Sequence, residues 1–310
     1  MRVAVPRYGL PFLKPLYKFP FSSSTFSPNK TCTLFSAKMS TTPPSQLTHI
    51  INLPAQLDQP VSVVAAPGVS DTQFNAIESS LFKQWLKNIQ TETGLLANGA
   101  MSLRQVLIQQ GVDMFGNHLG FLKFKTDIID KETGQKVPGI VFARGPAVAV
   151  LILLDSEGET YAVLTEQVRV PVGRLILELP AGMLDDDHGD FAGTAVREVE
   201  EETGIHLNVH DMVDLTAFLD ASTGGRVFPS PGGCDEEISL FLYRGDVSKE
   251  KIQQLQGKET GLRDHGELIK VHVVPYDKLW RATADAKALT AIALYEMAKR
   301  DGLLPCSTTS

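Results

Sequence analysis

The hydrophobic positions between residues 72 and 143 follow first a helical and then a strand-like spacing. Large apolar residues recur every three or four positions over residues 72–92, which predicts an amphipathic helix with one buried face. A second, short helix is expected around Ser102–Gln110. Phe121–Ile129 and Lys136–Ala143 then alternate between apolar and polar residues on either side of a Glu-Thr-Gly turn, which predicts a β-hairpin.

Beyond residue 145 the pattern changes to short apolar segments separated by helical ones. Strands are expected at Val148–Leu154, Tyr161–Glu166, Leu175–Leu179, Met212–Leu219, Ile238–Tyr243 and Leu268–Val274. One major helix is expected after residue 190, and an alanine-rich helix, Ala284–Lys299, closes the chain with Asp285 near its start. Strands interspersed with two major helices predict an α/β sandwich with a mixed sheet.

Composition and charge exclude several classes of function. A hydrophobic content of 43% with 21% charged residues is ordinary for a globular protein with a large core. The longest apolar run, Pro146–Leu154, is shorter than the roughly 18 residues a membrane span requires, so it is interpreted as a buried strand. The net charge of −7 argues against nucleic acid as a partner, because phosphate binding leaves a basic footprint. The 3 cysteines are too far apart for a disulfide framework or a metal motif.

The first 57 residues differ from the rest in charge. They contain six basic residues and no acidic one, together with many Ser, Thr and Pro residues. This composition is typical of an organellar transit peptide. We expect a chloroplast address, with a mitochondrial address or an ordinary tail as alternatives, and Met39 offers an internal start that would leave a cytosolic form.

A cluster of carboxylates on one predicted helix carries the candidate chemistry. Glu198, Glu201 and Glu202 are spaced three, one and four residues apart, so they project from the same side of a helix. Like charges at this spacing destabilise a helix unless something offsets their repulsion. A hard divalent cation, which prefers oxygen ligands, is the obvious candidate. A solvated acidic face is the alternative.

The segment Arg197–Ile205 resembles the second half of the Nudix box, G-x5-E-x7-R-E-U-x-E-E-x-G-U, at every fixed position. The first half is irregular. Five residues separate the Gly of the box from its first Glu, and in this chain the position reached from Gly182 is occupied by His188. We expect Asp190 to replace that Glu at the helix N-terminus, a position that suits a carboxylate. Since the first Glu is mainly structural in the family, the irregularity concerns the loop more than the metal site.

The resemblance implies a metal site and its ligands. In Nudix hydrolases the box helix holds magnesium or manganese against a diphosphate. By this likeness Glu198 and Glu202 are expected to bind the metal directly, together with the carbonyl of Ala181. Glu201 is expected either to bind metal or to orient a water bound to it, and it is counted among the catalytic residues.

Segments around the box resemble the ADP-ribose and nucleotide-sugar branch of the family. Glu166-Gln167-Val168-Arg169 and Glu178-Leu179-Pro180-Ala181-Gly182 match its EQ-x-R and E-L-x-A-G motifs. Arg169 is therefore expected to bind phosphate, for which its planar fork is suited, with a surface ion pair as the alternative. Glu178 is expected to contact substrate, although a structural pairing with Arg197 is also open.

Two loops complete the expected site. Ser230–Glu236 resembles the S-P-G-x-x-x-E stretch of the same branch, which implies that Glu236 faces the substrate, against the alternative of an exposed hairpin connection. Residues 261–275 resemble the loop that carries a late catalytic Glu in ADP-ribose pyrophosphatases. Glu267 is the choice for that residue, as general base or as the group that positions the attacking water, with Asp264 as the fallback.

The resemblance implies a Nudix-type α/β/α sandwich with a mixed sheet, preceded by a helical and β-hairpin region. The expected organisation is a transit segment at 1–57, a dimerisation region at 58–143, a hydrolase domain at 144–302 and a tail at 303–310. The implied activity is Mg2+- or Mn2+-dependent hydrolysis of ADP-glucose or ADP-ribose to AMP and a sugar phosphate, by a homodimer without nucleic-acid or membrane partners. Hydrolysis of another nucleotide sugar such as UDP-glucose, or a non-catalytic nucleotide-sugar sensor, remains an alternative.

Overall fold

A computed structural model describes residues 46–54, 60–115, 118–184, 190–261 and 268–305. The helix expected over residues 72–92 is divided into two, α1 (Asp71–Phe74) and α2 (Ser80–Asn88), with a 3-10 turn between them. Ser79 causes the division, because its extended backbone ends the turn and its hydroxyl accepts a hydrogen bond from the N–H of Phe82 to cap α2. The predicted apolar face is buried as expected.

The short helix expected around Ser102–Gln110 is wrong, since this segment belongs to a long strand, Met101–Phe115. A β-bulge explains the misleading pattern. The pairing register with the next strand shifts between Leu103 and Gln105, so Arg104 is an extra residue. The shift places buried Leu103 and Val106 three positions apart, and this spacing imitates a helix.

The N-terminal half of the described chain forms a six-stranded sheet. Its strands are β1 (Thr48–Ile51), β2 (Val61–Ala65), β3 (Met101–Phe115), β4 (His118–Asp130), β5 (Lys136–Val137) and β6 (Ile140–Ala143). The expected hairpin is confirmed, because β4 pairs in antiparallel fashion with both β5 and β6. Helix α2 covers the sheet through Phe82 and Trp85, whose rings lie 5.5 Å and 4.7 Å from the ring of Phe124.

The second half of the chain forms an eight-stranded mixed sheet in the order β11-β12-β7-β8-β14-β13, with β10 beside β7 and β9 beside β8. Its strands are β7 (Pro146–Ser156), β8 (Glu159–Arg169), β9 (Arg174–Glu178), β10 (Ala181–Met183), β11 (Met212–Asp214), β12 (Glu237–Asp246), β13 (Glu259–Thr260) and β14 (Ile269–Pro275). Its helices are α3 (Phe191–Thr203), α4 (Lys249–Leu255), α5 (Tyr276–Ala282) and α6 (Ala286–Arg300). The β7–β12 pair is parallel and the other pairs are antiparallel.

Helices cover both faces of this sheet. The central strand β7 is buried from Ala147 to Leu154, and its side chains alternate between two hydrophobic cores. Odd-numbered residues pack with α5 and α6, and even-numbered residues pack with α3 and α4. The structure is therefore an α/β/α sandwich with a mixed sheet, as predicted. None of the helices in the described ranges is long and apolar enough to cross a membrane.

The two central strands separate at one end, and this gap positions the site. Strands β7 and β8 pair only from Ile152 and Val163 to their shared turn. Beyond that point β7 pairs with β10 and β8 pairs with β9, so the chain from β9 to β10 crosses from one strand to the other. The backbone of residues 178–183 is thereby placed at the divergence, directly beside helix α3, which contacts β10 and β7.

Candidate active site

Local signals set both ends of the box helix, α3. Asp190 caps its N-terminus as expected, because its carboxylate accepts a hydrogen bond of 2.8 Å from the N–H of Gly193. The helix ends at Gly204, which adopts the left-handed conformation with φ of 70°. Between them Ala195 and Val199 are fully buried against the sheet. Glu198 and Glu202 follow these two residues by three positions each. Their side chains are consequently turned toward β10.

Glu202 is a buried carboxylate, with 7% of its surface exposed. One oxygen accepts a hydrogen bond of 2.8 Å from the Gln167 amide, and the other accepts one of 3.1 Å from the N–H of Ala181. Burial, with a contribution from the neighbouring Glu198, raises the pKa of Glu202 to about 8. Within the described part of the chain, its ionised form therefore lacks sufficient compensating positive charge.

Glu198 lies one helical turn before Glu202 and packs against Gly182. A Cβ on Gly182 would lie 1.9 Å from Cδ of Glu198, so only glycine allows the carboxylate to approach this closely. Both carboxylates thus lie beside the Ala181–Gly182 segment. The N–H of Val150 donates to the carbonyl of Pro180, and the N–H of Leu184 donates to the carbonyl of Pro146. The backbone N–H and carbonyl groups of the even-numbered residues in this segment therefore face β7. The N–H and carbonyl of Ala181 therefore point away from β7, toward the side where Glu202 lies.

The described structure does not bring Glu201 into this group. The Glu201 side chain is exposed on α3. Glu267 and the fallback Asp264 lie outside the described residues. Within the described ranges, no three His, Cys, Asp or Glu side chains are gathered closely enough to hold a metal ion by themselves. The assignments of Glu201 and Glu267 stay predictions.

Arg169 and Glu178 contact each other. The guanidinium donates from Nε and Nη2 to the two oxygens of Glu178, at 2.6 Å and 2.9 Å. Lys287, at the start of α6, donates to the same carboxylate at 2.9 Å and to Asp285 at 3.0 Å. Arg169 thus forms a partly buried ion pair with Glu178, and its expected binding of phosphate stays a prediction. Two cations and two carboxylates form this network.

The pKa of Glu178 is set by opposing effects. Burial, the larger single influence, raises it, but the hydrogen bond from Arg169 and the charge of Lys287 together lower it below its ordinary value. Glu178 is therefore ionised at neutral pH, whereas the burial of Glu202 favours its protonated form. Among the described residues, Glu178 is thus paired with two cations, whereas Glu202 is hydrogen-bonded to no cation.

Glu236 lies beside Arg144. Its carboxylate is 3.6 Å from Nε of Arg144, which also donates to the sulfur of Met183 at 3.3 Å. The preceding residue, Asp235, accepts hydrogen bonds from the N–H groups of Arg144 and Gly145. The Ser230–Glu236 loop is thus attached to the segment that joins the two sheets.

Sequence reasoning missed several residues of this region. Gln167 belongs to the EQ-x-R motif, but the motif does not indicate that its amide donates a hydrogen bond to Glu202. Lys287 and Arg144 belong to no motif, and their contacts join residues far apart in the chain. Asp285 was expected only near a helix start; its carboxylate caps α6 through the N–H of Lys287 and also accepts from the N–H of Leu179.

The donors of this site fit a divalent cation. Hard cations take carboxylate and carbonyl oxygens, and Glu198, Glu202 and the outward-facing Ala181 carbonyl are of this kind. A bound cation would supply the positive charge that buried Glu202 lacks. The close approach of Glu198 to Gly182 brings its oxygens beside the same peptide.

Comparisons with known proteins identify the family. Residues 143–295 match the NUDIX domain model. The chain is 72% identical over 261 residues to "Nudix hydrolase 14, chloroplastic" of Arabidopsis thaliana, a match that covers 84% of each protein. ADP-ribose pyrophosphatase of Bacillus subtilis is 32% identical over 160 residues, 51% of this chain and 74% of that protein. ADP-ribose pyrophosphatase of Haemophilus influenzae is 29% identical over 210 residues, 63% and 88%. The chain therefore belongs to the Nudix family of hydrolases.

Proposed function

We propose that this hydrolase cleaves the diphosphate of ADP-sugars, with ADP-glucose and ADP-ribose as leading substrates, to AMP and a sugar phosphate. The observation that carries the proposal is that Glu202 accepts a hydrogen bond from the N–H of Ala181 and Glu198 packs against Gly182, so that one helix brings both carboxylates to the same segment. Mg2+ is the proposed cofactor, and Mn2+ would serve the same oxygen ligands. The printed names of two relatives, both ADP-ribose pyrophosphatases, support this substrate class.

The charge of a diphosphate explains what the residues do. A bound cation would neutralise the phosphate oxygens and lower the pKa of a water molecule. Glu198 and Glu202 provide the anionic oxygens for that cation. The hydrogen bonds from Ala181 and Gln167 fix both oxygens of Glu202, so its carboxylate is held in one orientation.

Three further residues have proposed roles in positioning. Arg169 keeps one NH2 group of its guanidinium, Nη1, without an acceptor among the described residues, and this group would hold a phosphate oxygen. Glu178 would act mainly by orienting Arg169. Glu236 is proposed to contact the substrate beyond β10, and Glu267 to align or deprotonate the attacking water. In such a site, alignment and charge stabilisation supply most of the acceleration.

The wider organisation is proposed as well. Residues 1–57 would direct the protein to the chloroplast, which the printed name of the Arabidopsis relative supports. Residues 58–143 would form a homodimer interface, and residues 144–302 the hydrolase domain. Fusion of residues 1–57 to a fluorescent protein tests the address, and sedimentation of the purified protein tests the dimer.

A substrate panel tests the activity. The purified protein is incubated with Mg2+ and ADP-ribose, ADP-glucose, UDP-glucose or NADH, and the products are identified by mass. We expect AMP and a sugar phosphate from the ADP-sugars, at a higher kcat/KM than for UDP-glucose. Preference for UDP-glucose would establish the alternative nucleotide, and binding without turnover of any compound would establish a sensor.

A further inference from the structure

Glu202 lies in the last turn of helix α3, and the last turn is the part of a helix that is held least firmly. The final carbonyl groups of a helix have no partner within it, so they need donors from elsewhere. Glu202 immediately precedes Thr203, the last residue of α3. The position of this candidate metal ligand therefore depends on the groups that satisfy those carbonyls.

Two side chains from the segment of strand β13 donate hydrogen bonds to these carbonyls. The hydroxyl of Thr260 donates to the carbonyl of Glu202 itself. Nζ of Lys258, the residue before β13, donates at 3.2 Å to the carbonyl of Thr203. Because one residue separates the two donors, both side chains leave the extended chain on the same side, which is the side of α3.

Gly204 allows Lys258 to come close to the end of the helix. A Cβ at residue 204 would lie 2.0 Å from Nζ of Lys258. The positive charge of Lys258 also faces the negative end of the helix dipole, an arrangement that stabilises a helix C-terminus. The glycine at this position of the box therefore ends the helix and, in addition, admits the lysine to its carbonyls.

The backbone that carries these two donors is fixed to the sheet. Thr260 pairs with Ile269 in the antiparallel β13–β14 ladder. Two further hydrogen bonds of 2.8 Å connect the N–H of Gly257 to the carbonyl of Val271, and the N–H of Val271 to the carbonyl of Lys258. Ile269 and Val271 are buried in the core below α3. The last turn of α3 is thus attached to the edge of the sheet by an anchored segment.

We propose that Thr260 and Lys258 are positioning residues for Glu202, which hold the last turn of α3 so that its carboxylate stays in place. Glu202 is then fixed at both ends. Thr260 holds its main chain, and Gln167 and the N–H of Ala181 hold its carboxylate. The consequence for metal binding rests on the proposed function. A ligand that is ordered before the ion arrives loses less freedom on binding, so loss of either donor should weaken the site.

Amide hydrogen exchange of the metal-free protein, followed by NMR, tests the hold on Glu202. The reporter is the N–H of Ala181, whose acceptor is the Glu202 carboxylate. Thr260→Val removes the hydroxyl at nearly constant shape, and Thr260→Ser keeps it. Thr290→Val is the matched control, because Thr290 donates to the main-chain carbonyl of Ala286 on helix α6.

We expect the N–H of Ala181 to exchange about 5- to 10-fold faster in Thr260→Val than in wild type, relative to the amides of the central strand β7. Thr260→Ser and Thr290→Val should match wild type. Unchanged exchange of Ala181 in Thr260→Val, or an equal acceleration in β7, would overturn the proposal, because the hydroxyl would then contribute only to general stability.

Binding of Mn2+, followed by the loss of the electron paramagnetic resonance signal of the free ion, tests the consequence for the metal. Thr260→Val should bind Mn2+ about 5- to 10-fold more weakly per folded molecule, and Lys258→Met should be intermediate. The Mg2+ concentration for half-maximal turnover should rise by a similar factor, with little change of kcat at saturating Mg2+. Wild-type Mn2+ affinity in both variants would refute the link to the metal site.

The two measurements separate this inference from the proposed function. If wild type binds no Mn2+ and hydrolyses no nucleotide sugar, the proposed function fails, while the exchange of Ala181 still decides whether Thr260 positions Glu202. If Thr260→Val does not fold, as judged by circular dichroism, Lys258→Met takes its place in both measurements, and wild-type exchange of Ala181 in that variant would contradict the proposal.

Discussion

The N–H of Ala181 donates a hydrogen bond of 3.1 Å to Glu202, and this bond joins β10 to helix α3. The two residues are 21 positions apart. The bond fixes one carboxylate oxygen of Glu202, and Gln167 fixes the other. The helix that carries the glutamates and the strand that carries the candidate carbonyl ligand are therefore held as one unit before any cation binds.

Glu202→Gln should remove turnover while leaving the fold intact. We expect kcat/KM to fall at least about 100-fold, because a neutral amide cannot replace an anionic ligand. Without metal, the free energy of unfolding should change by about 1 kcal/mol or less, since the loss of one acceptor is offset by relief from burying a charge. Urea unfolding and steady-state kinetics provide the two measurements.

The control for this change is Glu200→Gln, on the exposed side of the same helix, where Glu200 pairs with His206. It should retain wild-type activity. Mg2+ should also raise the melting temperature of wild type and of Glu200→Gln but not of Glu202→Gln, because only a folded state that binds the ion is stabilised by it. Near-full activity of Glu202→Gln with Mg2+ present would refute the metal assignment.

Gly182→Ala should impair activity more than stability. The added Cβ would meet the end of the Glu198 side chain, which can rotate away at a cost of about 1 kcal/mol. The carboxylate would then leave its position beside Ala181, and a displacement of this kind lowers kcat about 100-fold. Gly232→Ala is the matched control, because a Cβ there meets no atom within 4 Å. Similar kcat values for the two variants would show that the position of Glu198 does not matter.

The elements that the sequence predicted correctly are those with local signals. Helix α3 begins at a capping Asp190 and ends at Gly204, and both signals lie within the helix's own segment. The strand β3 was predicted wrongly because the bulge at Arg104 is set by its pairing with β4, about 25 residues later in the chain. A single-segment pattern does not contain that information.

The residues of the candidate site likewise fall into those with local sequence signals and those that depend on long-range contacts. Glu198 and Glu202 were identified because their spacing on one helix is visible in the sequence. The Glu178–Lys287 contact joins residues 109 positions apart, and the Arg144–Glu236 pair depends on how a loop returns to the junction between the sheets. Such contacts arise from tertiary packing, so only the structure shows that Arg169 is already paired with Glu178.

Asp190→Ala tests whether Asp190, in the irregular first half of the box, stabilises helix α3 or takes part in the reaction. Loss of the cap should reduce the free energy of unfolding by about 1 kcal/mol, and Asp190→Ser should restore most of it. Turnover per folded molecule should stay at the wild-type level in both, as measured by kinetics on samples of known folded fraction. A fall in kcat without a fall in stability would instead assign Asp190 to the reaction.

The lowered pKa of Glu178 predicts a defined loss of stability in acid. A carboxyl whose pKa is lower in the folded than in the unfolded protein contributes stability above its unfolded value, near 4.5, and loses it as pH falls through the folded value. At pH 7 Glu178→Gln should cost about 3 kcal/mol, because Arg169 and Lys287 lose their buried partner. The difference from wild type, measured by urea unfolding from pH 6 to pH 3, should narrow as the pH falls below about 4.5. Glu78→Gln, which removes an exposed pair with Lys83, should show a small difference at every pH. A constant difference for Glu178→Gln across this range would mean that its charge contributes nothing to folding.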